Sequence, residues 1–275
     1  MKRLFIVGCS RSGTTVVQSS FARSPEIKTF PETGFLLKAL GMREIPNIFS
    51  LFGLSSRKEW KSLNKLEERL GLPISPTPSA FKVSSTLSLI SEKLDSIAIS
   101  AGCSAWLEKT PRHYYHAHKI PLYIENSHII HVVREGADVV ASIVDRANKY
   151  PDNFPRQANC QYAIKQWNKA ISTQYKLIEK PRHSFVLFED FISYPEKELR
   201  RLCNETGLNF YSNMLNNETG NTAHVLSTET WKNETPKGIF RPENKFSKLF
   251  SMAQRRQIIK HLESDKYIAI KEHLT

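Results

Sequence analysis

The residues Gly8-Cys9-Ser10-Arg11-Ser12-Gly13-Thr14-Thr15 have the types and order that a phosphate cradle needs. An apolar run, Leu4 to Gly8, leads into them, and a helix from Thr14 to about Ala22 leads out, stopped by Ser24-Pro25. In a strand–glycine loop–helix unit the loop amides point inward, and the helix N-terminus adds the positive end of its dipole. The octet matches the frame G-x-x-x-x-G-K-[ST] at every fixed position but one, since Thr14 stands where the lysine belongs. That lysine reaches the β- and γ-phosphates of a nucleoside triphosphate, so its absence argues against ATP or GTP hydrolysis. The loop still offers amides, the hydroxyls of Ser12, Thr14 and Thr15, and the cation of Arg11. Those groups suit a ligand with fewer phosphates and no obligatory magnesium. A tight turn with no ligand is the competing reading, and the position between first strand and first helix favours the cradle.

A second anion-binding pattern lies farther along, in His131-Val132-Val133-Arg134-Glu135-Gly136-Ala137-Asp138-Val139-Val140-Ala141-Ser142. Arg134, at the C-terminal end of a strand, can offer two parallel bonds to a phosphate. Ser142 lies about two helical turns on, so it must approach from a helix passing the site. Alone, Arg134 reads equally as a surface cation and Ser142 as a packing residue. Glu32 and Lys109 also follow strand-like segments. All four positions can therefore reach one sheet edge, where open α/β sheets bind ligands.

With Arg11-Ser12-Gly13-Thr14-Thr15 in view, the chain resembles the sulfotransferases that use 3′-phosphoadenosine 5′-phosphosulfate (PAPS). The R-S-G-T-T loop resembles that family's 5′-phosphosulfate loop, and Arg134 with Ser142 resembles its 3′-phosphate pair. Weaker matches spread over most of the chain. Trp106-Leu107-Glu108-Lys109-Thr110-Pro111-Arg112-His113 is similar to the W-x-E-K-T-P-R-H segment of many bacterial members. Phe188-Glu189-Asp190 followed by Pro195 is similar to a Y-E-D-L…P segment. Lys237 and Gly238 fall where members carry a basic loop over the 3′-phosphate or adenine. The family's nearby tryptophan is absent, Phe246 being the nearest aromatic, which leaves Lys237 and Gly238 as the weakest carry-overs.

The resemblance implies transfer of a sulfuryl group from PAPS to a hydroxyl or amine, with 3′-phosphoadenosine 5′-phosphate (PAP) as product and no metal. By analogy with phosphoryl transfer this is an in-line displacement with a loose transition state. The acceptor must lose a proton and the leaving nucleotide's bridging oxygen gains charge, so a base and cations are needed. Glu32 in Pro31-Glu32-Thr33-Gly34-Phe35 resembles the glutamate some members use as base; others use a histidine. Lys109 and Arg11 would stabilise the sulfuryl and bridging oxygens. Plainer readings stay open: Glu32 as a helix N-terminal acid, Lys109 as an ion-pair partner of Glu108 or another acid. A P-loop kinase-like or other nucleotide-binding protein is the alternative function. His113, His116 and His118 lack the neighbours of a recognisable zinc set.

Strands read at Leu4–Gly8, Ile27–Phe30, Ala105–Leu107, His128–Val133 and Ser184–Phe188. Helices read at Gly34–Leu40, Lys58–Leu70, Ser84–Ser100, Gly136–Ala147, Gln157–Glu179, Pro195–Gly207 and Met252–Leu262, with loops expected between the last two. Continuous apolar strands alternating with helices predict an α/β fold, P-loop-like and three-layered, with a central, mostly parallel sheet flanked by helices. No linker separates two units, so residues 1–275 read as one sulfotransferase domain.

The chain has 275 residues, a net charge of +12 and four scattered cysteines. Reduced thiols, no signal peptide and no membrane-spanning run point to a cytoplasmic protein. The positive charge matches a polyanionic small ligand, and no nucleic-acid-binding motif accompanies it. The acceptor stays open among small molecules, glycans, lipids and carrier-bound metabolites. Ile45–Leu54 and Tyr150–Pro155 are the stretches that would select it. The first is apolar enough to cover an acceptor, touch a membrane surface or complete the core.

Overall fold

The computed structural model describes residues 1–41, 61, 64–68, 73–74, 76, 82–216, 239 and 244–274. The Ile45–Leu54 stretch, Lys237 and Gly238 lie outside them, as does most of the Lys58–Leu70 segment.

Five strands form one sheet: β1 (Lys2–Gly8), β2 (Ile27–Phe30), β3 (Ala105–Lys109), β4 (Ser127–Val133) and β5 (His183–Leu187). Their order is β2-β3-β1-β4-β5, and every pairing is parallel. Side chains alternate across each strand. Leu4 and Ile6 of β1 therefore enter one apolar layer, while Phe5 and Val7 enter the other. Both layers are buried, which is why β1 reads as an unbroken apolar run.

The first layer is covered by α1 (Thr14–Phe21), α7 (Phe188–Ser193) and α8 (Pro195–Thr206). The second is covered by α2 (Phe35–Leu40), α3 (Val83–Ser100), the 3₁₀ segment Pro111–Lys119, α5 (Gly136–Lys149) and α6 (Cys160–Tyr175). The short α4 (Ile120–Tyr123) leads into β4. In the second layer Trp106 packs edge-on against Phe5, ring centroids 5.3 Å apart, an arrangement that adds to simple burial.

Several element ends differ from the sequence expectation. The helix expected over Gln157–Glu179 spans only Cys160–Tyr175, because the Asn159 side chain accepts from the Gln161 amide and fixes the start. β3 runs on through Glu108 and Lys109, both buried. Phe188 opens α7 instead of closing β5. The stretch expected as loop before the last helix contains α9 (Lys245–Leu249), which precedes α10 (Met252–His261). A further helix, α11 (Ser264–Leu274), follows. A Ser251–Gln254 capping box starts α10.

Candidate active site

The strand register sets the site. Ile6 of β1 pairs with Lys109, Gly8 with Val132, and Phe30 of β2 with Glu108. The loops after β1, β2, β3 and β4 thus open on the same sheet edge.

In the loop after β1, Arg11 has φ 73° and Gly13 φ 91°. Left-handed residues two apart bend the backbone into the concave form that gathers amides on an anion. Arg11 is not glycine, so its conformation costs on the order of 1–3 kcal/mol. Gly13 is required twice over: a Cβ there would stand 2.1 Å from the Phe188 ring. Gly8 is constrained too, since its Cβ would meet the Val132 carbonyl at 2.4 Å. No side chain caps the N-terminus of α1, which leaves first-turn amides without intrahelical partners. Ser12 and Thr14 are buried, Thr15 half-buried. Cys9 is also buried, which pushes its thiol up to about 12 and makes it inert.

The structure brings the two distant patterns together. Arg134 Nη1 donates to the Arg11 carbonyl at 3.3 Å. Arg11 Nε donates to Ser142 Oγ at 3.2 Å. α5 therefore leaves β4 and crosses the loop after β1. Burial, then the neighbouring Arg134, lowers the Arg11 pKa, with Asp145 opposing. The Arg134 guanidinium lies over the Phe188 ring, 4.7 Å from its centroid, and its Nη2 pairs with Asp138 at 3.1 Å. Its Nε is buried with no hydrogen-bond partner. A buried donor left unmade is costly and marks a place for an acceptor atom.

The turn after β4 is held from behind. Trp167 Nε1 donates to the Arg134 carbonyl at 3.0 Å, and the Glu135 amide donates to Glu189 at 3.0 Å. Tyr267 of α11 donates to the other Glu189 oxygen at 3.3 Å. Burial, foremost, raises the Glu189 pKa.

On the other side of β1, Lys109 Nζ and Glu32 Oε1 stand 2.6 Å apart, the lysine buried and Glu32 partly open. Lys109 thus pairs with Glu32, not with its neighbour Glu108. Glu32 precedes α2, whose N-cap is Gly34, so the helix-terminal reading of this acid does not hold. Glu108 points to the opposite face and anchors the loop that carries Glu32. It accepts from the Thr33 amide at 3.1 Å, the Thr33 hydroxyl at 2.8 Å and the Thr110 hydroxyl. The Gly34 amide donates to Thr110 Oγ1 at 3.2 Å. Burial would push the Glu108 pKa up, but His113 at 3.1 Å and the hydroxyl donors outweigh it and hold it low.

Arg146, one turn beyond Ser142 on α5, was not marked by the sequence. Its guanidinium lies over Phe154, 4.1 Å from the ring centroid, and donates to Gln157. Glu108, Phe188 and Trp167 also help to form the site. Arg146 had one available signal, its i+4 spacing from Ser142. Glu108 and Phe188 lie within the W-x-E-K-T-P-R-H and Y-E-D-L…P resemblances, which mark the segments but not these contacts, and Trp167 depends on tertiary approach alone.

Among the described residues no three His, Cys, Asp or Glu side chains gather as a metal ion would need. His116 Nε2 lies 2.8 Å from the Gly41 carbonyl, and His113 packs edge-on to Phe35. All four cysteines are free. No helix among the described residues is long and apolar enough to cross a membrane.

The model of the sulfotransferase family matches residues 3–212. Among solved structures, the sulfotransferase domain of the Synechococcus PCC 7002 olefin synthase is similar. It is 17% identical with a TM-score of 0.60, the match covering 94% of each chain. The sulfotransferase domain from the curacin biosynthetic pathway is 14% identical with a TM-score of 0.56, over 94% of this chain and 96% of that one. A mouse sulfotransferase complexed with PAP is 13% identical with a TM-score of 0.56, over 98% of this chain and 88% of that one. At these identities the likeness is one of fold. No curated protein matches the sequence at a significant level.

Proposed function

This chain belongs to the sulfotransferase family, and on that premise we propose that it transfers a sulfuryl group from PAPS to an acceptor hydroxyl or amine, with Glu32 as base. The observation that carries the reading is the contact chain Arg134–Arg11–Ser142. It joins two phosphate-binding patterns more than a hundred residues apart, as a ligand with a 5′- and a 3′-phosphate requires. The PAP held by the mouse relative supports the same cofactor.

The residues present fit that cofactor. The uncapped α1 N-terminus and the left-handed turns at Arg11 and Gly13 suit the 5′-phosphosulfate. Arg11, Ser12, Gly13, Thr14 and Thr15 would hold it. Arg134, with its unmade Nε donor, and Ser142 would hold the 3′-phosphate. Lys237 and Gly238 are carried only by the sequence resemblance. When bound, PAPS supplies the sulfuryl group and the leaving nucleotide.

The protein's part is to orient the reactants and manage charge and proton. Lys109 and Arg11 place two cations where oxygens gain negative charge, in a partly buried setting where such charges count for more than in water. The Glu32 carboxylate, oriented by Lys109, takes the proton from the acceptor. None of these roles requires a metal. A small molecule, a glycan, a lipid or a carrier-bound metabolite would serve as acceptor. We read residues 1–275 as one domain acting in the cytoplasm.

The test is incubation with PAPS and a mixed pool of hydroxyl and amine acceptors, following PAP release and the mass gain of a sulfuryl group. Glu32→Gln is expected to lower turnover at least about 100-fold while PAP affinity holds. Near-normal turnover in Glu32→Gln would remove Glu32 as base. ATP with magnesium supporting phosphoryl transfer instead would overturn the sulfotransferase reading.

A further inference from the structure

Arg134 stands two residues before α5, Ser142 lies on it, and Arg146 follows one turn on. The first two meet Arg11. Arg146 lies past the cofactor contacts, on the side where Glu32 stands. No carboxylate among the described residues lies within ion-pair distance of it. Its nearest candidates are engaged elsewhere: Asp145 pairs with Lys245 and Lys149, and Glu32 with Lys109. Its Nε is buried with no hydrogen-bond partner.

The guanidinium is nonetheless held in place. It lies over the Phe154 ring, 4.1 Å from its centroid, and Gln157 accepts from Nη2. Both belong to the segment after α5, which includes the Tyr150–Pro155 stretch expected to select the acceptor. A fixed, partly buried guanidinium with an unmade donor is arranged for a planar anion, which it can grip with two bonds. Burial and then Arg11 lower its pKa to about 10, with Glu32 and Cys9 pulling the other way. It therefore stays a cation at neutral pH, repelled by Arg11, with no carboxylate among the described residues at ion-pair distance.

We propose that Arg146 is an acceptor-binding residue, and that the acceptor carries an anionic group, a carboxylate or a phosphate, beside the hydroxyl or amine presented to Glu32. The inference rests on the sulfotransferase reading, since it takes Glu32 as the acceptor's base and the Arg134–Ser142 end as the cofactor's. The anion satisfies the Nε donor and cancels the repulsion between Arg146 and Arg11. Phe154 and Gln157 fix the angle at which it binds. Neutral acceptors of the same size would leave the buried donor unmade, and a site built to bond a group discriminates strongly against its absence.

The experiment is calorimetric titration of the PAP-loaded protein with a series of hydroxycarboxylic and phosphorylated alcohols of graded length, each against its methyl ester. At least one acid is expected to bind about tenfold or more tightly than its ester. Arg146→Gln should bring the two within about twofold, with PAP affinity little changed. Arg146→Lys, which keeps the charge without the planar fork, should retain part of the preference. It also serves if the Gln variant fails to fold. Acids and esters binding alike across the series, no acid binding at all, or a preference surviving in Arg146→Gln would each overturn the proposal. Failure of PAP to bind in the loading step would instead strike the cofactor reading beneath it.

Discussion

At the scale of single residues, the loop Gly8–Thr15 was legible because its chemistry is local. Strand, glycines and helix start follow one another, so spacing alone orders the amides. What the spacing could not give is why Gly13 must be glycine. Its φ of 91° is one reason, and the Phe188 ring, brought from the end of β5, is the other. The same ring supports the Arg134 guanidinium. Gly13→Ala should therefore cost at least about 1–2 kcal/mol in stability for the backbone alone. It should also displace Phe188 and weaken PAP binding. Urea unfolding and calorimetry on the variant check both effects, and wild-type values in both would refute the packing argument. Arg146 and Glu108 show the opposite case. Arg146 belongs to no motif, Glu108 only to a segment resemblance that does not say what it binds, and tertiary approach gives both their partners.

At the scale of elements, the β1–α1 and β4–α5 units were readable, since apolar runs and helix-stop residues bounded them. Ends were less so. Asn159 caps α6 three residues later than the apolar pattern suggested, and α11 is short of strong periodicity yet supplies Tyr267 to Glu189. The short loop between β2 and α2 carries Glu32, the proposed base. It has no regular structure of its own, and its shape comes from Glu108 of β3 and Thr110 just after it. Glu108→Gln keeps the volume but removes the charge that gathers three donors. It should lower stability by about 1–3 kcal/mol and reduce turnover through a misplaced Glu32. PAP affinity, set on the far side of β1, should stay as it was. Equal losses of PAP affinity and turnover would mean that the loop is not held independently of the cofactor end.

At the scale of the whole molecule, the all-parallel sheet follows from strands buried on both faces, and the sequence pattern carried that much. It did not reveal how many histidines the folding buries. His131 Nε2 and His183 Nδ1 lie 2.9 Å apart, which requires at least one of them to be neutral. Burial, then His183 and His128, lowers the pKa of His131, and burial, then His128 and Arg182, brings that of His183 to about 4. Burial likewise brings His116 to about 4. These folded values lie below the unfolded value of about 6.5. The unfolded chain therefore binds more protons between the two, and stability rises with pH in that window. Their contribution is intact above about pH 6.5 and lost as the pH falls toward 4. Glu108, with its lowered pKa, acts in the same direction at the acid end. The melting temperature should accordingly drop by several degrees between neutral pH and pH near 5. A flat profile over that range would show that the buried histidines do not titrate as the fold implies.

The two proposed phosphate-binding patterns meet through Arg134, Arg11 and Ser142. The most direct test is calorimetric titration of the protein with PAP, alongside 5′-AMP, ADP and ATP with magnesium. PAP is expected to bind far more tightly than 5′-AMP, and Arg134→Ala should cut its affinity by about 100-fold with little effect on 5′-AMP. Equal binding of PAP and 5′-AMP, or an Arg134→Ala variant that binds PAP as the wild type does, would contradict the account at its centre.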